Sequence, residues 1–213
     1  ARAGSVLLGK NSGLNSAGFR SVSIGYEAGR SNTLTDPDNS GQLSVNIGGQ
    51  AGYQNASYGT INLGYRAGYI NTGYGSINIG ITAGSEGVAE NTINIGVNAG
   101  ATTPGPNAVS MGYQAGSNTA GSRSVNIGTQ AGNTNAGVHS VNIGDQAGDR
   151  SGIDSVNIGK QTGANSGQDS VNVGDQAGVN SGNQSVNIGF GANSTGNQGV
   201  HIGGGSGYTN AGL

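Results

Sequence analysis

Aliphatic residues recur along this chain in pairs separated by one polar residue, as in Val125-Asn126-Ile127 and Val141-Asn142-Ile143, each pair preceded by Ser and followed by Gly. Alternation of this kind puts Val141 and Ile143 on one face of a short strand and Ser140 and Asn142 on the other. With the first aliphatic residue as marker, units begin at Val6, Val22, Val45, Ile61, Ile77, Ile93, Val109, Val125, Val141, Val156, Val171, Val186 and Val200. The spacings are 16, 23, six of 16, three of 15 and one of 14. A nearly fixed short period is the signature of a solenoid in which one unit is one coil. Because apolar faces ordinarily turn inward, the aliphatic face is expected to be the inner one.

A strand this short needs partners, so each should pair with its equivalents one coil before and after, in a parallel sheet with coils ~4.8 Å apart. A coil of about 15 residues is too short for a βα unit, and two short strands joined by tight turns fit it better. The second strand is expected through a position that is always small: Ser12, Ala28, Ala51, Ala67, Ala83, Ala99, Ala115, Ala131, Ala147, Thr162, Ala177, Ala192 and Ser206. There it would face the bulkier Val and Ile across a narrow interior. The predicted fold is therefore all-β, a flattened parallel β-roll solenoid of about 13 coils forming a single domain over residues 1–213. The seven extra residues of the 23-residue step should protrude as a loop at about 31–40 without breaking the stack. The opening at Ala1 reads as a piece of a longer fibre protein.

Two glycines punctuate each coil. The one closing the strand, at Gly64, Gly80, Gly96, Gly112, Gly128, Gly144 and their equivalents, never varies. Either the backbone needs positive φ there or something approaches too closely for a side chain, and both readings stay open. The glycine after the small residue fails only at Asn193. Asn also tolerates left-handed backbone, which suggests a positive-φ turn.

Composition narrows the picture. The chain has 45 Gly but only 3 Pro and no every-third glycine pattern, which excludes collagen. Aliphatic residues in register exclude a disordered chain. No Cys is present, so neither disulfides nor thiolates contribute. No apolar run reaches membrane-spanning length, so this segment is not expected to insert in a membrane. A net charge of -2 gives no basic field for a nucleic-acid backbone. His139 and His201 occupy different coil positions, and Asp145, Asp149, Asp154, Asp169 and Asp175 are scattered. No catalytic set, metal site or cofactor site is read from them, and the chain is not expected to be an enzyme.

The unit Ser124-Val125-Asn126-Ile127-Gly128 with Ala131, and its counterparts from Ser21 to Gly203, resembles the head repeats of trimeric autotransporter adhesins. The repeats also look like those of trimeric fibres from phages and predatory bacteria. The resemblance implies three β-rolls wound as a homotrimer, an extracellular or cell-surface location, and adhesion to surface glycans or extracellular protein. Asn at the middle position and the extra glycine after Ala depart from those heads.

Association also has a reason in the residues. Two aliphatic side chains and one Ala give a coil on the order of 3 to 5 kcal/mol of burial, little against the ordering of a coil of about 15 residues. The Asn row, Asn46, Asn62, Asn78, Asn94, Asn126, Asn142, Asn157, Asn172 and Asn187, is too uniform for an idle surface. It is expected to form a hydrogen-bonded ladder buried near the trimer axis, with a solvent-facing ladder as the alternative. A monomer with that flat Ser/Asn face open would instead suggest an ice-binding solenoid. Tyrosines supply the candidate recognition patch. Tyr53, Tyr58, Tyr65, Tyr69 and Tyr74 fall within two coils, and Tyr53/Tyr69 and Tyr58/Tyr74 are each 16 apart. Each pair should stack on the outer edge with Arg66 nearby, suited to sugar rings or protein, or merely to covering turns.

Overall fold

The computed structural model describes residues 4–14, 19–30 and 42–205; the loop expected at about 31–40 lies outside the described residues. The chain divides into two units, Ala1–Asn107 and Ala108–Leu213. The first carries β1 (Val6–Leu8), β2 (Val22–Ile24), β3 (Val45–Ile47), β4 (Gln54–Ala56), β5 (Ile61–Leu63), β6 (Ile70–Thr72), β7 (Ile77–Ile79) and β8 (Ile93–Ile95). The second carries β9 (Val109–Met111), β10 (Val125–Ile127), β11 (Val141–Ile143), β12 (Val156–Ile158), β13 (Val171–Val173), β14 (Val186–Ile188) and β15 (Val200–Ile202).

Within each unit the strands stack as parallel neighbours, β1-β2-β3-β5-β7-β8 in the first and β9 to β15 in sequence order in the second. Each residue pairs with its own equivalent, as Val141 does with Val125 and Val156. The stack passes the 23-residue step without a slip, since Val22 pairs with Val45 and Ile24 with Ile47. The all-β parallel solenoid is thus established.

The orientation of the faces is the reverse of the expected one. Asn46, Asn62, Asn78, Asn94, Asn126, Asn142, Asn157, Asn172 and Asn187 are among the largest fully buried side chains, and the Ser or Thr before each is buried with it. The aliphatic residues point outward: Ile127 is 37 % exposed and Leu63 41 %. Nor does the ladder sit at an axis between chains or face solvent, because it fills the interior of each roll. The flat polar face that an ice-binding reading requires is therefore not on the surface.

A polar interior is tolerable only if most of its groups are bonded, and the Asn side chains are bonded to one another. In the first unit Asn62 Nδ2 donates to Asn46 Oδ1 at 2.8 Å, Asn78 to Asn62 at 2.9 Å and Asn94 to Asn78 at 2.9 Å. In the second the same bond runs from Asn142 to Asn126 and on through Asn157, Asn172 and Asn187, each at 2.8 Å. The other amide proton reaches the neighbouring hydroxyl, as from Asn142 to Ser140 Oγ at 3.1 Å. Asn187 Oδ1 has no partner, for the next coil carries His201 in place of Asn.

The second strand is also absent from most coils. Among the described residues only β4 and β6 form a second strand, as a two-stranded pair that begins after the Ala-Gly turn of its coils, and later coils continue it no further than isolated bridges such as Glu86 with Thr102. The small residue is buried as expected, Ala131 and Ala147 fully, yet it lies in a turn of an Asn-lined interior. Space is tightest at the following glycine: a Cβ on Gly132 would lie 1.9 Å from Asn126 Oδ1. Large against small holds for this core, with an amide as the large partner.

Both explanations for the strand-closing glycine apply. Gly128 has φ +133, and a Cβ there would fall 2.3 Å from the carbonyl oxygen of Gly144 in the next coil. The glycine after Ala is left-handed, with φ +54 at Gly132 and +66 at Gly148. Asn193 is an exception, because it is not among the positive-φ residues, although Gly191 before Ala192 is, at φ +60. The residue before Ala is also left-handed although rarely Gly, as at Gln130, Gln146 and Gln161 with φ between 52 and 56. Its backbone N–H is held by the previous coil, Gln146 by the Thr129 carbonyl at 2.8 Å.

Candidate functional site

The tyrosine patch is built on the turns of the first unit. Gly64 ends β5, Tyr65 follows it, Arg66 takes the left-handed corner at φ +54, and Ala67 and Gly68 turn the chain inward so that Tyr69 emerges on the far side. One coil earlier the same path places Gln50 at the corner and Tyr53 after the turn. The Tyr53 and Tyr69 rings stack with centroids 5.1 Å apart and planes at 15°. The Arg66 guanidinium lies 4.9 Å from the Tyr69 ring centre and 5.4 Å from that of Tyr65, and Arg30 lies 5.7 Å from that of Tyr53. Cations at this range are attracted to the ring faces and hold them in place.

A row of side chains at the corner position anchors the two arginines. Arg66 Nε donates to Gln50 Oε1 at 2.9 Å, Gln50 Nε2 donates to Glu27 Oε2 at 3.0 Å, and Arg30 pairs with the other Glu27 oxygen. Glu27 is held below its ordinary pKa, first by the bond from Gln50 and then by the charge of Arg30, against burial that works the other way. Glu27, Gln50 and Arg30 were not singled out in the sequence. The signal was there for two of them, since Glu27, Gln50 and Arg66 all precede the small residue of their coils.

Tyr58 and Tyr74 form a second stack, centroids 5.4 Å apart and planes at 6°. Tyr58 lines a shallow hollow with Phe19, Arg20, Gln42 and Leu43. The six named residues therefore form two groups: Tyr53, Tyr65, Arg66 and Tyr69 joined by ring contacts, and Tyr58 with Tyr74. Tyr65 and Tyr74 are half exposed, and Tyr53, Tyr58 and Tyr69 are partly covered. Flat rings with cationic and amide neighbours can lie against the apolar face of a sugar or bury area against a protein.

The histidines stand apart. His139 links Arg123, 3.2 Å from its Nε2, to Asp154, 2.9 Å from its Nδ1, along one exposed corner. Arg123 can only donate and the Asp154 carboxylate can only accept, so the two contacts suit the neutral tautomer with its proton on Nδ1. His201 occupies the Asn position of β15. Among the described residues no group of three His, Cys, Asp or Glu could hold a metal ion, and no helix is long and apolar enough to cross a membrane.

The larger surface feature is the outward aliphatic row of each unit, such as Val125 and Ile127 stacked on Val141 and Ile143. It forms an apolar stripe one strand wide along the stacked strands of each unit. Compared with protein-family models and with curated proteins, the chain matches none.

Proposed function

We propose that this chain is a structural and adhesive segment of an extracellular trimeric fibre. The observation that carries the reading is the outward Val/Ile row: a solenoid whose interior is satisfied by amides has no use inside one chain for two aliphatic side chains per coil. Partly exposed, each leaves up to about 1 kcal/mol of burial unrealised, and an equivalent row on another copy, with the same coil spacing, meets it in register. The resemblance to trimeric adhesin heads supplies the number three. In this arrangement the tyrosine patch lies on an outer edge, and three copies present one weak site to a surface glycan or extracellular protein several times over.

Light scattering tests the association: the expected mass is three times the 20.7 kDa chain. Ile127→Lys with Ile158→Lys puts charges on the row, and the expected outcome is a folded particle of single-chain mass. A wild-type chain that is monomeric at all concentrations overturns the fibre reading.

A further inference from the structure

The second unit carries a groove unconnected with either tyrosine stack. One wall is a ladder of glutamines at the left-handed corner of successive coils, Gln130, Gln146, Gln161 and Gln176, and the groove they bound encloses about 660 Å³. Gln146 Nε2 donates to Gln130 Oε1 at 3.1 Å, Gln161 to Gln146 at 3.0 Å and Gln176 to Gln161 at 3.4 Å. Each amide spends one N–H on the ladder, so a second N–H and a carbonyl lone pair remain for a ligand. The opposite wall brings Ala164 and Val179 between Asn133 and Asn193. The Oδ1 atoms of Asn133 and Asn193 are both buried without a hydrogen-bond partner, so of these two residues it is the rest of the side chain that lines the groove.

We infer that this groove is a binding track for a neutral, extended β-1,4-linked glycan lying along the stacked coils. Its polar groups recur once per coil, ~4.8 Å apart, close to the length of one pyranose residue in an extended chain. A β-1,4 chain turns each residue over relative to the last, so its same-face hydroxyls meet every second coil, whereas an extended peptide repeats its same-face side chains about every 6.8 Å and falls out of step within two coils. Sugar hydroxyls donate to the remaining lone pairs of the Gln carbonyls and accept from the second Gln N–H groups, while ring faces cover Ala164 and Val179. Among the lining residues the one charged group is Asp149, which disfavours anionic polymers and gives nucleic-acid phosphates no counter-charge. The inference shares with the fibre reading only that a glycan is a target, and it requires no second copy.

Calorimetric titration with cellohexaose and with chitohexaose tests it. Saturable binding of at least one is expected, strengthening with oligomer length up to about four residues, one for each ladder glutamine. Gln146→Ala with Gln161→Ala should weaken it by about tenfold or more. Ala164→Arg, which fills the track without touching the ladder, should do the same with the melting temperature unchanged, so the test survives if the glutamine variant fails to fold. No saturable binding of either hexasaccharide overturns the inference. So does binding that persists in Ala164→Arg, or that is lost instead in Tyr53→Ala/Tyr69→Ala. None of these outcomes bears on the fibre reading, which rests on the particle mass.

Discussion

Asn142 donates its amide proton to Asn126 Oδ1 at 2.8 Å, and both side chains are fully buried. Asn142 in turn accepts from Asn157. The interior of the roll is therefore a column of amides in which each residue short of the column's ends satisfies the one before it and is satisfied by the one after. Such a column is strong only while unbroken, because removing one member strands a donor above and an acceptor below.

Asn142→Leu is expected to destabilise the protein by about 3 kcal/mol, since Asn126 Oδ1 and Asn157 Nδ2 lose their ladder partners and each orphan costs about 1 to 3 kcal/mol. Denaturant unfolding would read it. A loss of a few tenths of a kcal/mol would mean that the amide column contributes little.

The glycines separate strain from collision. Gly128 has φ +133 and no room, whereas Gly59 has φ +70 and nothing within 4 Å of an added Cβ. Gly59→Ala should cost about 1 kcal/mol, the price of left-handed backbone for a residue with a side chain. Gly128→Ala should cost several times that, because the new methyl collides with backbone that cannot move without shifting a coil. Equal melting temperatures for the two variants would contradict the packing at the strand end.

Adhesion should depend on the stacked rings. Binding to a glycan array or to whole cells is expected to fall in Tyr53→Ala/Tyr69→Ala, which removes both rings held by Arg30 and Arg66. The comparison requires that melting temperature and particle mass match the wild type. Equal binding by the two proteins would remove this patch from the adhesive surface.

Glu27 makes a pH-dependent contribution. Its carboxyl is held below the ordinary value of 4.5 by the Gln50 bond and the Arg30 charge. A carboxyl whose folded pKa is depressed stabilises the fold fully at pH values above its unfolded pKa, and the contribution disappears as pH falls through the folded value. Wild type should therefore exceed Glu27→Gln in stability at pH 7 and converge with it in acid below the ordinary glutamate range. A stability gap that is constant with pH would show that Glu27 acts as a neutral hydrogen-bond partner only.

The repeat by itself determined the parallel stack, the position of every strand from β1 to β15 except β4 and β6, the burial of the small residue, and the vertical pairing of Tyr53 with Tyr69. The stack, the strands and the Tyr pairing follow from period, since equivalent residues of successive coils must meet, and the burial was read from a position that is small in every coil. Tertiary structure alone decided which face of Val125-Asn126-Ile127 is inside. Alternation defines two faces and is silent on which one the coil closes around; the closure is set by the backbone at Gly128, Gln130 and Gly132, whose positive φ values bend the chain toward the Asn side. Two of these are glycines and could be suspected, but glutamine has no preference for left-handed backbone, and only the hydrogen bond from its N–H to the coil before holds it there. With the turn made in that direction, the interior is filled by the amide ladder and the small residues, and the aliphatic row is left for the outside.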